Sequence, residues 1–314
     1  MDEILQILPK AIHSLLIKTS PTFFRKIEEI RVRVDRPLEI IVEGKPYYPK
    51  LHNEQYIVTM EDSVHLINKL SNFSLYAFEE ELKRGYITIK GGHRIGLAGK
   101  VTIEQGKVKA IKEISSYNIR IAREKVGIAE TYIPYLYERR WLNTLIIGAP
   151  QTGKTTLLRD IARVISCGHQ RYNVPSKKVG IVDERSEIAG SIKGVPQHQL
   201  GHRVDILDAC PKAEGIMMMI RSMSPDVIIV DEIGRKEDCD AIIEALNAGV
   251  QMIMTIHANR LEDIHLRPML KPIMESHIFD RFVELARSET PGIVKAIRDQ
   301  NGKHLFPQKK ERSR

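Results

Sequence analysis

Cysteine is nearly absent from this chain of 314 residues: Cys167, Cys210 and Cys239 form no C-x-x-C pair and have no histidine at ligand spacing. An odd number so dispersed suggests neither a disulfide framework nor a zinc site. Aromatic residues make up only 6%, with one tryptophan, and they are not interleaved with basic residues as in single-strand nucleic-acid grooves. Long apolar runs are missing as well, and none approaches the roughly 20 residues that span a bilayer. Asp2 and Glu3 stand where a secretory signal would be basic, and the helical stripe Ile4, Leu5, Leu8, Ile12, Leu15 and Leu16 is interrupted by Pro9. The expectation is a soluble, cytoplasmic protein that reaches any membrane through partners. Charge of one sign is not blocked either: Lys and Arg exceed Asp and Glu by 48 to 40, spread along the chain except for the tail Lys309–Arg314, which reads as disordered.

What is present is a 42% hydrophobic share, enough to build cores in two domains of this combined length. It also holds one stretch of high information. Gly148-Ala149-Pro150-Gln151-Thr152-Gly153-Lys154-Thr155 fits G-x-x-x-x-G-K-[ST] without a mismatch. Residue frequencies produce that pattern in about one random chain in a hundred of this length. Before it, Leu145–Ile147 reads as a short strand. After it, Leu157, Leu158, Ile161, Val164 and Ile165 recur at helical spacing until Gly168 supplies a stop. Strand, glycine loop and helix together make a phosphate-binding loop, with backbone N–H groups and the helix N-terminus aimed at a polyphosphate. Residues 148–155 and Thr156 are the candidate nucleotide-binding residues, Lys154 for the β- and γ-phosphates and the Thr155 hydroxyl for Mg²⁺.

Upstream, Glu28–Val42 alternates as two half-buried strands around the turn at 35–37, and a helical pattern runs from about Met60 to Lys83 through Val64, Ile67, Leu70, Leu75 and Phe78. Short strands follow at 85–89, 95–99 and 119–122, separated by turns at Gly91-Gly92 and Gln105-Gly106. This half reads as an α+β domain, 1–127, without a catalytic signature of its own, the pattern changing at the charged Arg123-Glu124-Lys125. From 128 to 314, apolar strands at 145–147, 179–182, 227–230, 252–256 and, more weakly, 293–297 alternate with helices. The fold class is therefore α/β, with a mainly parallel sheet covered on both faces.

Val227–Val230 ends in Asp231 and Glu232, as the second half of a nucleotide site requires: Asp231 for the Mg²⁺ shell and Glu232 to polarise the attacking water. Val182 leads into Asp183-Glu184-Arg185, with Glu187 expected one helical step later. These acids read either as site groups converging on the carboxyl edge of the sheet or as a helix-capping cluster. His257, in Thr255-Ile256-His257-Ala258-Asn259, is either structural or catalytic.

In this order the four elements resemble the ATPases of type II and type IV secretion and type IV pilus machines. The resemblance is closer to the stage III sporulation protein AA family, through residues 182–190, Cys210-Pro211-Lys212-Ala213-Glu214-Gly215 and Ile220–Asp226, and it covers essentially the whole chain. It implies a RecA-like P-loop core and homo-hexameric rings around nucleotide. It places Asp183, Glu184 and Glu187 in an acidic box and His257 in a histidine box that senses the γ-phosphate. Gly92–Ile95 and Asn118–Ile121 resemble the arginine-bearing strands of such enzymes, so Arg94 and Arg120 are either phosphate clamps or solvated strand residues. Many pilus ATPases have Gly where this chain has Asp231, and the tetracysteine insert of some type II enzymes is missing. Both departures favour the sporulation branch.

The function implied is a MgATP-hydrolysing motor of a secretion-like channel between mother cell and forespore. Its partners would be integral membrane channel subunits, with the protein on the mother-cell side and no nucleic acid involved. The alternative is a nucleic-acid-stimulated P-loop translocase, which a net charge of +8 would suit. A pseudo-ATPase scaffold is disfavoured by the intact Lys154, Thr155, Asp231 and Glu232.

Overall fold

The computed structural model describes residues 2–306 apart from 72–81, 84, 105, 123 and 289. The chain divides into two compact units, Met1–Arg123 and Glu124–Arg314.

In the first unit the amino-terminal stripe forms two helices, α1 (Asp2–Ile7) and α2 (Lys10–Ile17), with Pro9 as the N-cap of the second. Ser20 accepts the Phe23 N–H to start α3 (Pro21–Lys26). Strands β1 (Ile27–Arg33), β2 (Glu39–Val42) and β3 (Lys45–Tyr47) follow, then the short pair β4 (Lys50–Leu51) and β5 (Glu54–Gln55). Helix α4 (Met60–Ser71) opens on a reciprocal cap: Thr59 N–H donates to the Asp62 carboxylate and Asp62 N–H to the Thr59 hydroxyl. Leu75 and Phe78, expected to prolong this helix, lie outside the described residues. So do Gln105 of the expected turn, Arg123 at the expected boundary and the tail Lys309–Arg314.

With β6 (Tyr86–Ile89), β7 (His93–Glu104) and β8 (Lys107–Arg120), the unit's main sheet is antiparallel in the order β3-β2-β1-β8-β7-β6. Ile4, Ile12, Leu16, Ile30, Leu66, Ile95 and Ile119 share its core. The β7–β8 hairpin is much longer than the short strands expected at 95–99 and 119–122. Its outer half, from Lys100 and back to Ile114, is largely exposed: Val101, Ile103 and Val108 alternate with polar residues there without a core to enter, and the sequence reading did not extend the strands into it.

The second unit opens with α5 (Ile133–Leu136) and is built on eight strands: β9 (Thr144–Gly148), β10 (Val179–Asp183), β11 (Val204–Asp208), β12 (Val227–Val230), β13 (Gln251–His257), β14 (Arg281–Leu285), β15 (Val294–Asp299) and β16 (His304–Phe306). Their order is β11-β10-β12-β13-β9-β14-β15-β16. The first six are parallel, and β15 and β16 add antiparallel at one edge. The unbroken apolar runs now have a reason, because successive residues enter different cores. Ile146, Ile181, Ile229 and Ile253 face one side with Leu157 and Ile161 of α6 (Lys154–Cys167). Leu145, Ile147, Ile228 and Val230 face the other with Ile216 of α7 (Lys212–Ser222) and Ile242 of α8 (Lys236–Asn247). Each fully buried aliphatic contributes about 1.5–3 kcal/mol, so both helical layers are needed to cover the sheet.

Three strands of the second unit escaped the sequence reading. β11 is a half-exposed edge strand with two aspartates. β14 hides a nearly fully buried Glu284, which pairs with Arg298 at 3.2 Å and so breaks the apolar pattern. β16 has only three residues.

Candidate active site

Parallel register gathers the site. His257 pairs with Gly148 and Val182 with Val230, so the carboxyl ends of β9, β10, β12 and β13 finish on one edge of the sheet. Open α/β sheets bind ligands at that edge.

At the end of β9 the chain turns through Ala149–Gly153 into α6. Gly153 has φ 89°, and a Cβ there would lie 2.2 Å from the Gly292 nitrogen. Only glycine fits both the left-handed backbone and the close approach. The Gly292 N–H donates to the Thr152 carbonyl at 2.8 Å, bracing the loop from behind. Pro150 and Gln151 are exposed at the crest, whereas Thr152 is buried with its hydroxyl on the Ala149 carbonyl. Thr156, half-buried in the first turn of α6, lines a narrow cleft with Lys125, Val126 and Arg159.

Lys154 is 5% exposed, and its Nζ donates to the Ala149 carbonyl at 3.0 Å and to His257 Nδ1 at 2.9 Å. Burial pulls its ammonium below the usual value, against the opposing charges of Asp231, Glu232 and Glu187. Because Nδ1 receives a proton donor, the His257 proton sits on Nε2, which donates to Glu232 Oε1 at 2.6 Å. The second Glu232 oxygen is held by Arg185. Burial pushes the Glu232 carboxyl up, but His257 and Arg185 together outweigh it and leave it below its usual value. Thr155 Oγ1 donates to Asp231 Oδ2 at 2.7 Å, the Thr255 hydroxyl donates to the other Asp231 oxygen, and Glu232 N–H donates to Thr255 at 2.9 Å. Glu232 has φ 52°, a sparsely populated conformation for a side chain of this size.

The acidic loop after β10 is arranged differently from the sequence expectation. Residues 183–186 form a turn, with the Ser186 N–H on the Asp183 carbonyl and Ser186 at φ 53°, so Glu187 is not one helical step from Asp183. Asp183 is 1% exposed and accepts the N–H groups of Glu187, Ile188 and Ala189 at 2.8–3.0 Å, so its carboxylate caps the backbone of its own loop. Burial pushes this carboxyl up to about 6, against those three donors. Glu184 pairs with Lys212 and lies 3.9 Å from Arg235, outside the Lys154–Glu232 network. The Glu187 carboxylate lies 3.9 Å from Arg185. Arg159 of α6 donates to the Glu187 and Ile188 carbonyls, tying the loop to the phosphate-loop helix. In the first unit, Arg94 and Arg120 are cross-strand partners, and the Arg94 guanidinium stacks 3.9 Å from the Tyr86 ring centre.

The donor set suits a hard divalent cation. Thr155 and Asp231 offer one hydroxyl and a carboxylate, and Mg²⁺ at nucleotide sites takes one or two such ligands plus phosphate oxygens. Among the described residues no group of three or more His, Cys, Asp or Glu could cage a metal by itself.

The family of sporulation stage III, protein AA, matches the chain over residues 1–305. The chain belongs to the stage III sporulation protein AA family. Stage III sporulation protein AA of Bacillus subtilis (strain 168) is 55% identical to it over 305 residues, covering 97% of each chain. Among solved structures, the ATPase DotB of Legionella pneumophila covers 82% of this family member and 72% of its own chain, with a TM-score of 0.54 at 16% identity. The pilus retraction motor PilT, solved with bound ADP, covers 84% and 75%, with a TM-score of 0.56 at 15% identity. This member of the sporulation family thus has the RecA-like P-loop fold of secretion ATPases, an α/β core with a mainly parallel sheet.

Four residues of the site were not singled out from sequence: Arg185 on Glu232, Lys212 on Glu184, Thr255 beneath Asp231 and Glu232, and Arg159 under the acidic loop. Thr255 had a signal, since it precedes His257 by two on the same strand and so points to the same face. The other three act across distances in sequence that no local pattern records.

Proposed function

We propose that this protein is a MgATP-hydrolysing motor. The observation that carries the reading is the line Lys154–His257–Glu232–Arg185 lying beside the Thr155–Asp231 pair at the mouth of the glycine loop. Lys154 donates to the Ala149 carbonyl and to His257. A β,γ-phosphate offers it a charged acceptor, a stronger partner than either. Moving there frees His257 Nδ1, so His257 registers the γ-phosphate through the position of Lys154. Thr155 and Asp231 would hold Mg²⁺, which would supply charge neutralisation at the phosphates. Glu232 orients the attacking water and takes its proton once Arg185 yields one of the two carboxylate oxygens. Asp183, Glu184 and Glu187 shape the loop that presents Arg185, and Arg94 and Arg120 contribute to turnover from the amino-terminal unit.

At the level of the cell, family membership supports a hexameric motor for a secretion-like channel between mother cell and forespore. It would be cytoplasmic and held at the membrane by integral membrane subunits. No helix among the described residues is long and apolar enough to cross a membrane. The decisive experiment measures the mass of the purified protein with and without nucleotide, and ATP turnover in the same sample. Turnover absent from wild type, with a mass that ignores nucleotide, would sink the motor reading.

A further inference from the structure

A groove of about 630 Å³ runs between α7 and α8, which pack against each other on the face of the sheet opposite α6. Its floor is apolar: Ala213, Met217, Ala241 and Ile243. Its rim is acidic: Glu214 on one helix, and Glu237, Asp240 and Glu244 at i, i+3 and i+7 on the other, all four exposed. Among the described residues none of these carboxylates enters an ion pair or accepts a side-chain hydrogen bond.

The rim breaks two rules of helix electrostatics. Like charges at i,i+3 and i,i+4 repel on one stripe. Glu244 also lies in the last turn of α8, where the helix dipole disfavours an anion and no basic residue offsets it. Glu214 and Glu237 lie in first turns, where the dipole favours them, but the stripe from Glu237 to Glu244 still sets like charges side by side along an apolar trough. A docked cationic partner resolves it.

We propose that this groove is the docking site for a basic amphipathic helix of a partner protein. The apolar face would fill the trough as a third helix, with Lys or Arg flanking it against the four acids. The rim repels the alternatives, because nucleic-acid phosphates and anionic lipid head groups meet four carboxylates there. The position also gives the partner a short route to the candidate site. Lys212 and Arg235, the two cations at Glu184, stand at the amino-terminal ends of the same two helices.

The test does not depend on the ATPase reading, because binding is measured without nucleotide. A fluorescein-labelled amphipathic Leu/Lys helical peptide is titrated with the full chain by fluorescence anisotropy, beside a Leu/Glu peptide of the same pattern. The Leu/Lys peptide should bind and the Leu/Glu peptide should not. The triple variant Glu214→Lys, Asp240→Lys, Glu244→Lys should weaken binding at least about tenfold, or about 1.4 kcal/mol. Met217→Glu, which spoils the trough and leaves the rim intact, should weaken it too. If the triple variant fails to fold by circular dichroism, Asp240→Lys alone should still give a measurable loss. Wild-type affinity in the folded variants, or no binding by wild type, overturns the proposal. So does a change in the protein's own assembly mass caused by the triple variant, which would make the groove an interface between copies of this chain.

Discussion

Glu232 combines a left-handed backbone with a carboxylate shared between His257 and Arg185, and its substitutions should separate chemistry from stability. Glu232→Gln keeps the shape and loses the base, so nucleotide binding should persist while turnover falls on the order of a hundredfold or more. Turnover at the wild-type rate would pass the role to Glu184. Glu232→Gly should also lose turnover, but glycine removes a backbone cost of about 1–2 kcal/mol. Against that it forfeits the Arg185 ion pair, commonly about 0–1 kcal/mol, and the His257 hydrogen bond, about 0.5–1.5 kcal/mol. The terms nearly cancel, so its melting temperature should stay within a few degrees of wild type, and a much larger fall would show that the conformation is not strained. Lys154→Ala removes the one buried cation of the loop and should abolish ATP binding in calorimetry. Unchanged affinity would remove the phosphate site from this loop.

At the scale of elements, the end of β10 depends on a single carboxylate that caps its own loop. Native Asp183 keeps its proton up to about pH 6, whereas the unfolded chain releases it near the ordinary value of 3.8. The native state therefore binds more protons across that window, and stability should fall as pH rises from about 4 to about 6. The contribution is fully present only below the window. In urea titrations the advantage of wild type over Asp183→Asn should shrink through that range, and an advantage that grows with pH would show the three N–H donors overcoming burial. Legibility in the sequence follows the same physics. β9 and β12 were readable because they are buried on both faces and end in motif residues, Gly148 and Asp231. β14 was not, because Glu284 is buried by virtue of Arg298 on a different strand and the Leu261 N–H, partners distant in sequence. The acidic loop was half readable. Its composition announced a site, but residues 183–189 close on backbone N–H groups that no side-chain pattern encodes, and Arg185 reaches Glu232 across two strand ends.

At the scale of the whole molecule, each unit has a hydrophobic core of its own, so a fragment beginning at Glu124 should fold. If Arg94 and Arg120 serve turnover, this fragment should bind ATP and hydrolyse it poorly, and full turnover in a steady-state assay would confine the first unit to docking. DNA should leave the turnover of the complete chain unchanged at low salt. A stimulation that fades steeply as salt rises would instead favour a nucleic-acid translocase. Residues distant in sequence are also joined behind the phosphate loop, where the Gly292 amide rests on the Thr152 carbonyl. That amide can act as a clock. Its deuterium uptake requires the loop to part from the segment after β14, so uptake should slow when ATP holds the loop closed and quicken when product leaves. One backbone proton could thus time each opening of the phosphate loop without any label near the chemistry.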